Sequence, residues 1–384
     1  MDIDNLKRKA KYRFSHGLFH KRTFVILFVL SAAADIYTVF RLASALRMPW
    51  PAAVLCGAAA CLLLYAEMIS RYRQQTTRIY RLTIWAAGLY TAFLIHFLII
   101  LAAADLAFLI PRALGYRQVH RYFTGAAAAA ALLFTLAACH HAYDVKIVRE
   151  KLPEIKKCGK LRIALLSDLH IGAVIGPHYL RKIVRMTNEL HPDLIVITGD
   201  LFNHAKVHEC ADPAAAAQAL SGLESAFGTY CVRGNHDPQL SDPDFQVFLQ
   251  QSAITPLDNR VQTVGPVTLI GRTGTRTQPG RTPLAELMKA APPQQMTIVL
   301  DHDPSGVREA QSCGADLVLS GHTHNGQFFP CNLFAKIAYP GCLTHGHTDL
   351  SGTHLIVSGG TGFFQVPVRT FSDSEIVCID ITDR

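Results

Sequence analysis

Ten cysteines occur among the 384 residues, yet no two stand in a C-x-x-C spacing, which removes the usual thiolate frame of a structural zinc site. They are scattered, and Cys56, Cys61 and Cys139 sit in apolar runs where sulfur packs like a small hydrophobe, so a reduced, cytoplasmic setting is expected. Charge is also scarce. Only 17% of residues are charged against 50% hydrophobic, a balance that points to membrane contact. Acidic residues are rarest in the first 143 positions, which hold 16 Lys/Arg against 5 Asp/Glu, while residues 144–384 carry 21 against 24. The net charge of +8 therefore belongs to the N-terminal third. The rest has no basic excess with which to bind nucleic acid.

Four apolar stretches, near 23–40, 51–69, 82–110 and 122–143, approach or exceed the ~20 residues that cross ~30 Å of hydrocarbon as a helix. Residues 1–143 are expected to form an all-α anchor of four transmembrane helices. A signal peptide competes for the first stretch, but no small-residue cleavage site follows cleanly and three further stretches come after it. Flanking charge sets the orientation. One side holds Lys7 to Arg22, then Arg71, Arg73, Arg78 and Arg81, then Lys146 to Arg162, eighteen basic residues in all; the other holds Arg41, Arg47, Arg112, Arg117 and Arg121. Both ends of the chain are thus expected in the cytoplasm, in a multi-pass protein of the inner (plasma) membrane. Asp35, His96 and Asp105 fall inside apolar runs and are read as helix contacts or water-facing groups rather than a transport path. The run Ala126 to Ala131 suits close helix packing or plain helix.

Residues 144–160, rich in Lys and Glu, read as a linker. From Leu161 on, short apolar runs alternate with helical patterns, the grammar of a layered α/β domain over 161–384. Strands are expected within 161–168, 193–200, 228–234, 266–271, 296–303, 315–321, 353–360 and 375–381. Helices are expected over 177–190, 213–226, 243–252, 282–291 and 305–312. Polar residues recur just past the strands, where open α/β sheets place their sites.

Five clusters stand there: Asp168-Leu169-His170, Gly199-Asp200, Gly234-Asn235-His236-Asp237, Asp301-His302-Asp303-Pro304 and Gly321-His322-Thr323-His324. In extended chain, residues i and i+2 project together, so Asp168 with His170, or His322 with His324, can reach neighbouring positions. Asp200 offers a carboxylate able to bridge two cations, Asn235 an amide oxygen, and His236 an imidazole that can give or take a proton.

The order of these motifs resembles the calcineurin-like metallophosphoesterase superfamily over nearly all of 161–384. It looks most like the membrane-associated phosphodiesterase branch, in which S-D-L-H, T-G-D-L, G-N-H-D, H-D-P and S-G-H-T-H-x-G-Q-x-x-P recur. Here these read Ser167 to His170, Thr198 to Leu201, Gly234 to Asp237, His302 to Pro304 and Ser320 to Pro330. The tail with Gly360, Gly362, Pro367 and Arg369 is similar too. The resemblance implies a two-sheet α/β/β/α sandwich. It implies that Asp168, His170 and His324 hold one metal, that Asn235, His302 and His322 hold the other, and that Asp200 bridges them. It implies His236 as general acid, with Asp237 orienting its ring. Asn203 and Asn325 depart from the usual Asp and Gly, and neither is an expected ligand. No G-D-x-V-D-R-G segment is present, which argues against protein-phosphatase activity.

Two divalent ions ~3.5 to 4 Å apart can clamp a phosphoryl group and activate a water. The Asp, Asn and His donors suit Mn, Fe or Zn. The expected activity is hydrolysis of a phosphodiester or pyrophosphate bond. Held at a leaflet, the site would meet lipid-linked phosphorylated substrates at high effective concentration; one branch relative cleaves the UDP-diacylglucosamine pyrophosphate, a specific candidate. A metal-binding regulatory membrane protein without turnover and a transporter with an accessory domain are the rival classes. Cys231 and Cys313 are read as packing residues, and His178, His204, His208, His345 and His347 as surface, with His345 or His347 an optional phosphate contact.

Overall fold

The computed structural model describes residues 26, 29–70, 77–153, 155–156, 158–274 and 280–382. They divide into two compact units, residues 1–69 with 90–135, and residues 70–89 with 136–384. The basic residues Lys7 to Arg22, Arg71, Arg73 and Lys157, which enter the orientation argument, lie outside the described residues.

The first unit is helical, built from α1 (Val29–Leu46), α2 (Trp50–Ser70) and parts of α3 (Arg78–Ala113) and α4 (His120–Tyr143). Among the described residues, three helical stretches are long and apolar enough to cross a membrane, Val29–Leu46, Arg78–Ala113 and Arg117–Tyr143; the apolar stretch described in α2, Trp50–Tyr65, is shorter. The expectation of four spans is therefore met by three candidates. The alanine run lets α3 and α4 approach, since Ala127 and Ala131 are buried against Phe97 and Leu101. The polar residues in these helices contact other helices. Asp35 accepts from Cys61 Sγ at 3.0 Å and from the Tyr90 hydroxyl, and His96 Nδ1 lies 2.8 Å from Thr135 Oγ1. Arg41 lies within α1 and forms a two-pronged pair with Asp105 at 2.6 and 2.7 Å.

In the second unit, alternating side chains build four layers. One six-stranded sheet runs in the order β1 (Lys146–Pro153), β12 (Glu375–Thr382), β2 (Leu161–Leu166), β3 (Leu194–Thr198), β4 (Thr229–Val232), β5 (Ile254–Pro256). The other runs β10 (Gly346–Leu350), β11 (Thr353–Val357), β9 (Leu317–Ser320), β8 (Met296–Leu300), β7 (Val267–Gly271), β6 (Arg260–Val264). Because the side-chain period is two, Ile163 and Leu165 of β2 turn toward the second sheet and pack with Leu269, Ile298 and Leu319. Ala164 and Leu166 turn the other way, onto α5 (Pro177–Asn188), α6 (Pro213–Leu220) and α7 (Pro243–Gln251). The outer face of the second sheet is covered by α8 (Leu284–Met288) and α9 (Val307–Ser312) through Leu284, Val307 and Val318. This is a mixed α/β two-sheet sandwich with a helix layer on each side.

All eight expected strands and all five expected helices form. Among the described residues, four strands and one α-helix were not expected. Where a linker was read over 144–160, Lys146–Pro153 is an edge strand paired in parallel with β12 from Lys146↔Glu375 to Pro153↔Thr382. β5, β6 and β10 are likewise at sheet edges. The additional helix is α10 (Cys331–Ala338).

Candidate metal centre

Parallel pairing aligns the carboxyl ends of the central strands, with Leu166 opposite Ile197 and Leu300 opposite Leu319. Asp168, Asp200, His302 and His322 each stand two residues beyond their strands β2, β3, β8 and β9, so one rim gathers all four. His170 and His324 follow two positions later, and Asn235 lies just past β4.

The backbone is bent hard to bring these side chains inward. Asp168, His170, Asp200, His322 and His324 all have φ between 48° and 73°, a region non-glycine residues avoid at a cost of about 1–3 kcal/mol each. Such strain persists only where the surroundings enforce it. Here the loops after β2 and β3 bond each other, with Asp168 N–H donating to Gly199 O at 2.9 Å and His170 N–H to Asp200 O at 3.0 Å. The motif glycines follow from the crowding: a Cβ on Gly234 would run into the Asp200 carboxylate, and one on Gly321 into Ser167 and Asp168. Asn325 also has positive φ, at 49°, a conformation asparagine tolerates.

Two donor groups result. Asp168, His170 and His324 form one and Asp200, His302 and His322 the other, each with its donor atoms within 4.8 Å of one another. In the first, His170 Nε2 lies 3.0 Å from His324 Nε2, which is 3.3 Å from Asp168 Oδ1. In the second, His302 Nε2 is 3.2 Å from Asp200 Oδ2, 3.1 Å from His322 Nδ1 and 3.2 Å from the Asn235 amide oxygen. Asp200 Oδ2 is also 3.8 Å from His170 Nε2, which places this carboxylate between the groups. His302 Nδ1 donates to Thr198 O at 2.7 Å, which turns Nε2 to the centre.

Electrostatics separate the members. Burial works to raise Asp168, but the imidazoles of His324, His302 and His170 hold it well below the ordinary carboxylate value. Asp200 is held down in the same way, against its burial, by His302, His170 and His236. Burial opposes charge on His302, but Asp200 and Asp168 outweigh it and raise the imidazole to about 10. Burial and the neighbouring His302 press His322 down to about 4. These side chains face a common centre with both carboxylates ionised, a donor set that fits divalent ions.

His236 stands at the open side, half-buried. Its N–H donates to Asp200 Oδ1 at 2.8 Å, and its ring packs 5.4 Å from that of His170 and 4.6 Å from that of Phe364. Burial lowers its pKa. Asp237 does not meet the ring as expected. Its oxygens accept from Phe202 N–H at 3.0 Å and Gly234 N–H at 2.8 Å, so it braces the loops after β3 and β4, and burial with the nearby Asp200 charge pushes it up to about 7.

Two contributors, Gln327 and Tyr339, were not singled out in the sequence, and Arg369 was named only as part of the tail resemblance. Gln327 clamps the tail, accepting from Phe364 N–H at 2.7 Å and donating to Val366 O at 2.8 Å; it lies inside the G-H-T-H motif run. Arg369, inside the tail motif, is buried and gives its donors to Gly359 O, Gly362 O and His324 O, so it holds backbone rather than phosphate. Tyr339 lies 6.0 Å from His322 and carried no motif signal. His345 and His347 are not free surface groups: His345 bonds Glu375 at 2.9 Å, and His347 lies 3.1 Å from His354 and 3.5 Å from Glu150. His178 and His208 are exposed. Cys231 is buried and its thiol is pushed well above its ordinary value, as a packing residue's would be.

Paired Asp/His groups thus stand at the strand ends of a two-sheet sandwich. Residues 161–326 match the calcineurin-like phosphoesterase family, and the chain carries a calcineurin-like metallophosphoesterase domain. The family uses divalent metals. Similar proteins include an uncharacterized metallophosphoesterase of Helicobacter pylori, 34% identical over 59% of this chain and 60% of the relative. Proteins named transmembrane protein with metallophosphoesterase domain are 33% identical in Danio rerio, over 62% of this chain and 56% of the relative, and 31% in Bos taurus, over 60% and 55%. The chain thus spans less than two thirds of the length of each of these relatives.

Proposed function

We propose that this chain is a membrane-anchored two-metal phosphoesterase that hydrolyses a phosphodiester or pyrophosphate bond with metal-activated water. The observation that carries this reading is the pair of donor groups with Asp200 between them. In it, Asp168, His170 and His324 would hold one divalent ion (Mn, Fe or Zn), Asn235, His302 and His322 would hold the other, and Asp200, lying between the two groups, would serve both. When bound, the ions supply charge neutralisation of the phosphoryl group and a nucleophile at neutral pH.

The chain's own residues do the rest. Thr198 O fixes the His302 tautomer, and the loops braced by Asp237 fix the positions of Asp200 and Asn235. His236, beside the centre and open to solvent, gives a proton to the leaving oxygen, a role worth about 10²–10⁴ in rate. Arg369 and Gln327 hold the tail that brings Phe364 against His236.

The helical unit anchors this site in the membrane. Its apolar helices support that part of the reading, and α2 serves as a fourth span beside the three candidates. The excess of Lys and Arg on one side of the apolar stretches favours both ends of the chain in the cytoplasm, in a multi-pass protein of the inner membrane. A site tethered to a leaflet meets lipid-linked phosphoesters at raised effective concentration, which favours such a substrate, a UDP-diacylglucosamine-type pyrophosphate among them. The test is turnover of bis(p-nitrophenyl) phosphate by the purified chain with Mn²⁺. Release of p-nitrophenol that stops in EDTA and returns with metal supports the reading; metal-independent release, or none with any of the three metals, removes it.

A further inference from the structure

Outside α3 and α4, the exposed large hydrophobic side chains described in the second unit are Val247, Leu333, Phe334, Ile337 and Phe371. Four of the five belong to one neighbourhood. Leu333, Phe334 and Ile337, spaced i, i+1 and i+4, share one face of α10, and they are 54%, 63% and 73% exposed; none of the eight residues of this helix is buried. Asn332 ties the helix down, donating from Nδ2 to Asn325 O at 2.9 Å and to Thr370 O at 3.3 Å. Phe371, 78% exposed, follows Thr370 directly and its ring lies 6.2 Å from that of Phe329. Soluble surfaces seldom leave such a cluster uncovered.

The same segment also meets α3 and α4. Arg369 N–H donates to Ala138 O of α4 at 3.0 Å, and Gly88 of α3 lies so close to Pro367 that an added Cβ would come within 2.9 Å of it. The 36 residues of α3 run to ~54 Å as a helix, well beyond the ~30 Å of a hydrocarbon core. A crossing takes only about 20 of these residues, and Gly88, which meets the 366–371 segment, lies ten residues from the Arg78 end of the helix. Thr370 is held from both sides, donating N–H to Gln327 O at 3.1 Å and accepting at Oγ1 from Phe329 N–H at 2.7 Å.

We infer that α10 and Phe371 form an interfacial docking face that inserts into the boundary of the same bilayer the helices cross, so that the rim bearing His322 and His324 receives phosphoesters carried by amphiphilic, lipid-embedded molecules. The inference deepens the proposed function and rests on its reading of α3 and α4 as membrane spans. A short helix with an apolar face and a lysine, Lys336, in its last turn is the chemistry of an element lying in the headgroup region. The link to the site is short: Asn325, which holds Asn332, follows His324, and Tyr339 at the far end of α10 packs on His322.

Trp50 and Trp85 are the chain's two tryptophans, which makes added tryptophan a usable depth probe. The full chain, as Phe334→Trp and separately as Phe371→Trp, is reconstituted in dioleoyl phosphatidylcholine vesicles with and without brominated acyl chains. The expected result is loss of the added emission in brominated vesicles at both positions. Added emission that stays unquenched while the native emission is quenched overturns the docking face alone, whether it is red-shifted as in water or blue-shifted as beneath a second copy of the chain. Native emission that is itself unquenched removes the membrane reading, and the docking face with it.

Discussion

Both units bury ionisable side chains, and they do so in opposite ways. In the helical unit the Arg41 guanidinium is answered at every turn, by both oxygens of Asp105, by the Tyr37 hydroxyl at 2.7 Å and by Thr124 at 3.0 Å. In the sandwich unit, imidazole nitrogens face one another, His170 Nε2 against His324 Nε2 and His302 Nε2 against His322 Nδ1, with carboxylates and an amide oxygen turned the same way. A cluster that satisfies itself holds helices together. A cluster of converging acceptors held in strained backbone is built for something that is not part of the chain.

The difference can be broken from either side. The largest effect is expected at the shared carboxylate: Asp200→Ala should lower phosphodiester hydrolysis at least about 10³-fold, roughly 4 kcal/mol of barrier, together with bound metal, both read on the same purified sample. His236→Ala should lower turnover by about 10²–10⁴ with metal content kept; unchanged turnover would take His236 out of its role. Chelation of wild-type protein should destabilise the sandwich unit by about 4 kcal/mol where free metal had been ~1,000-fold above its dissociation constant. Proteolysis that follows each unit separately would see cleavage confined to the sandwich.

In the helical unit, Asp105→Ala leaves the Arg41 fork short of its main partner and should cost on the order of 1–3 kcal/mol, visible as a lower unfolding temperature in detergent, with metal content untouched. The smallest effect is expected at His345, whose bond to the buried Glu375 carboxylate raises its pKa above 6.5. A raised imidazole pKa favours the fold below pH 6.5, and that contribution is lost as pH rises through the folded value. Wild type should therefore exceed His345→Gln in stability at pH 6 and converge with it toward pH 8; a constant gap across that range would contradict the assignment.

What was legible in the sequence follows the same physics. Central strands such as β3 and β8 are buried on both faces, so LIVIT and MTIVL read as continuous apolar runs, and the residues just past them announce the rim. The four strands that went unread, β1, β5, β6 and β10, are the edges of the two sheets. β1 spells KIVREKLP with one buried residue and passes for a charged linker, because an edge strand needs no apolar run. Asp237 was placed in the right motif and given the wrong partner, since spacing along the chain does not reveal that Phe202 N–H and Gly234 N–H claim its oxygens. α10 stayed unread because its apolar residues face outward rather than into a core.

The most direct test is the metal content of the purified chain, by elemental analysis of wild type and Asp200→Ala side by side. The account predicts two transition-metal ions per wild-type chain and a marked loss in the variant. A single ion per chain, or a content that Asp200→Ala leaves unchanged, would contradict it.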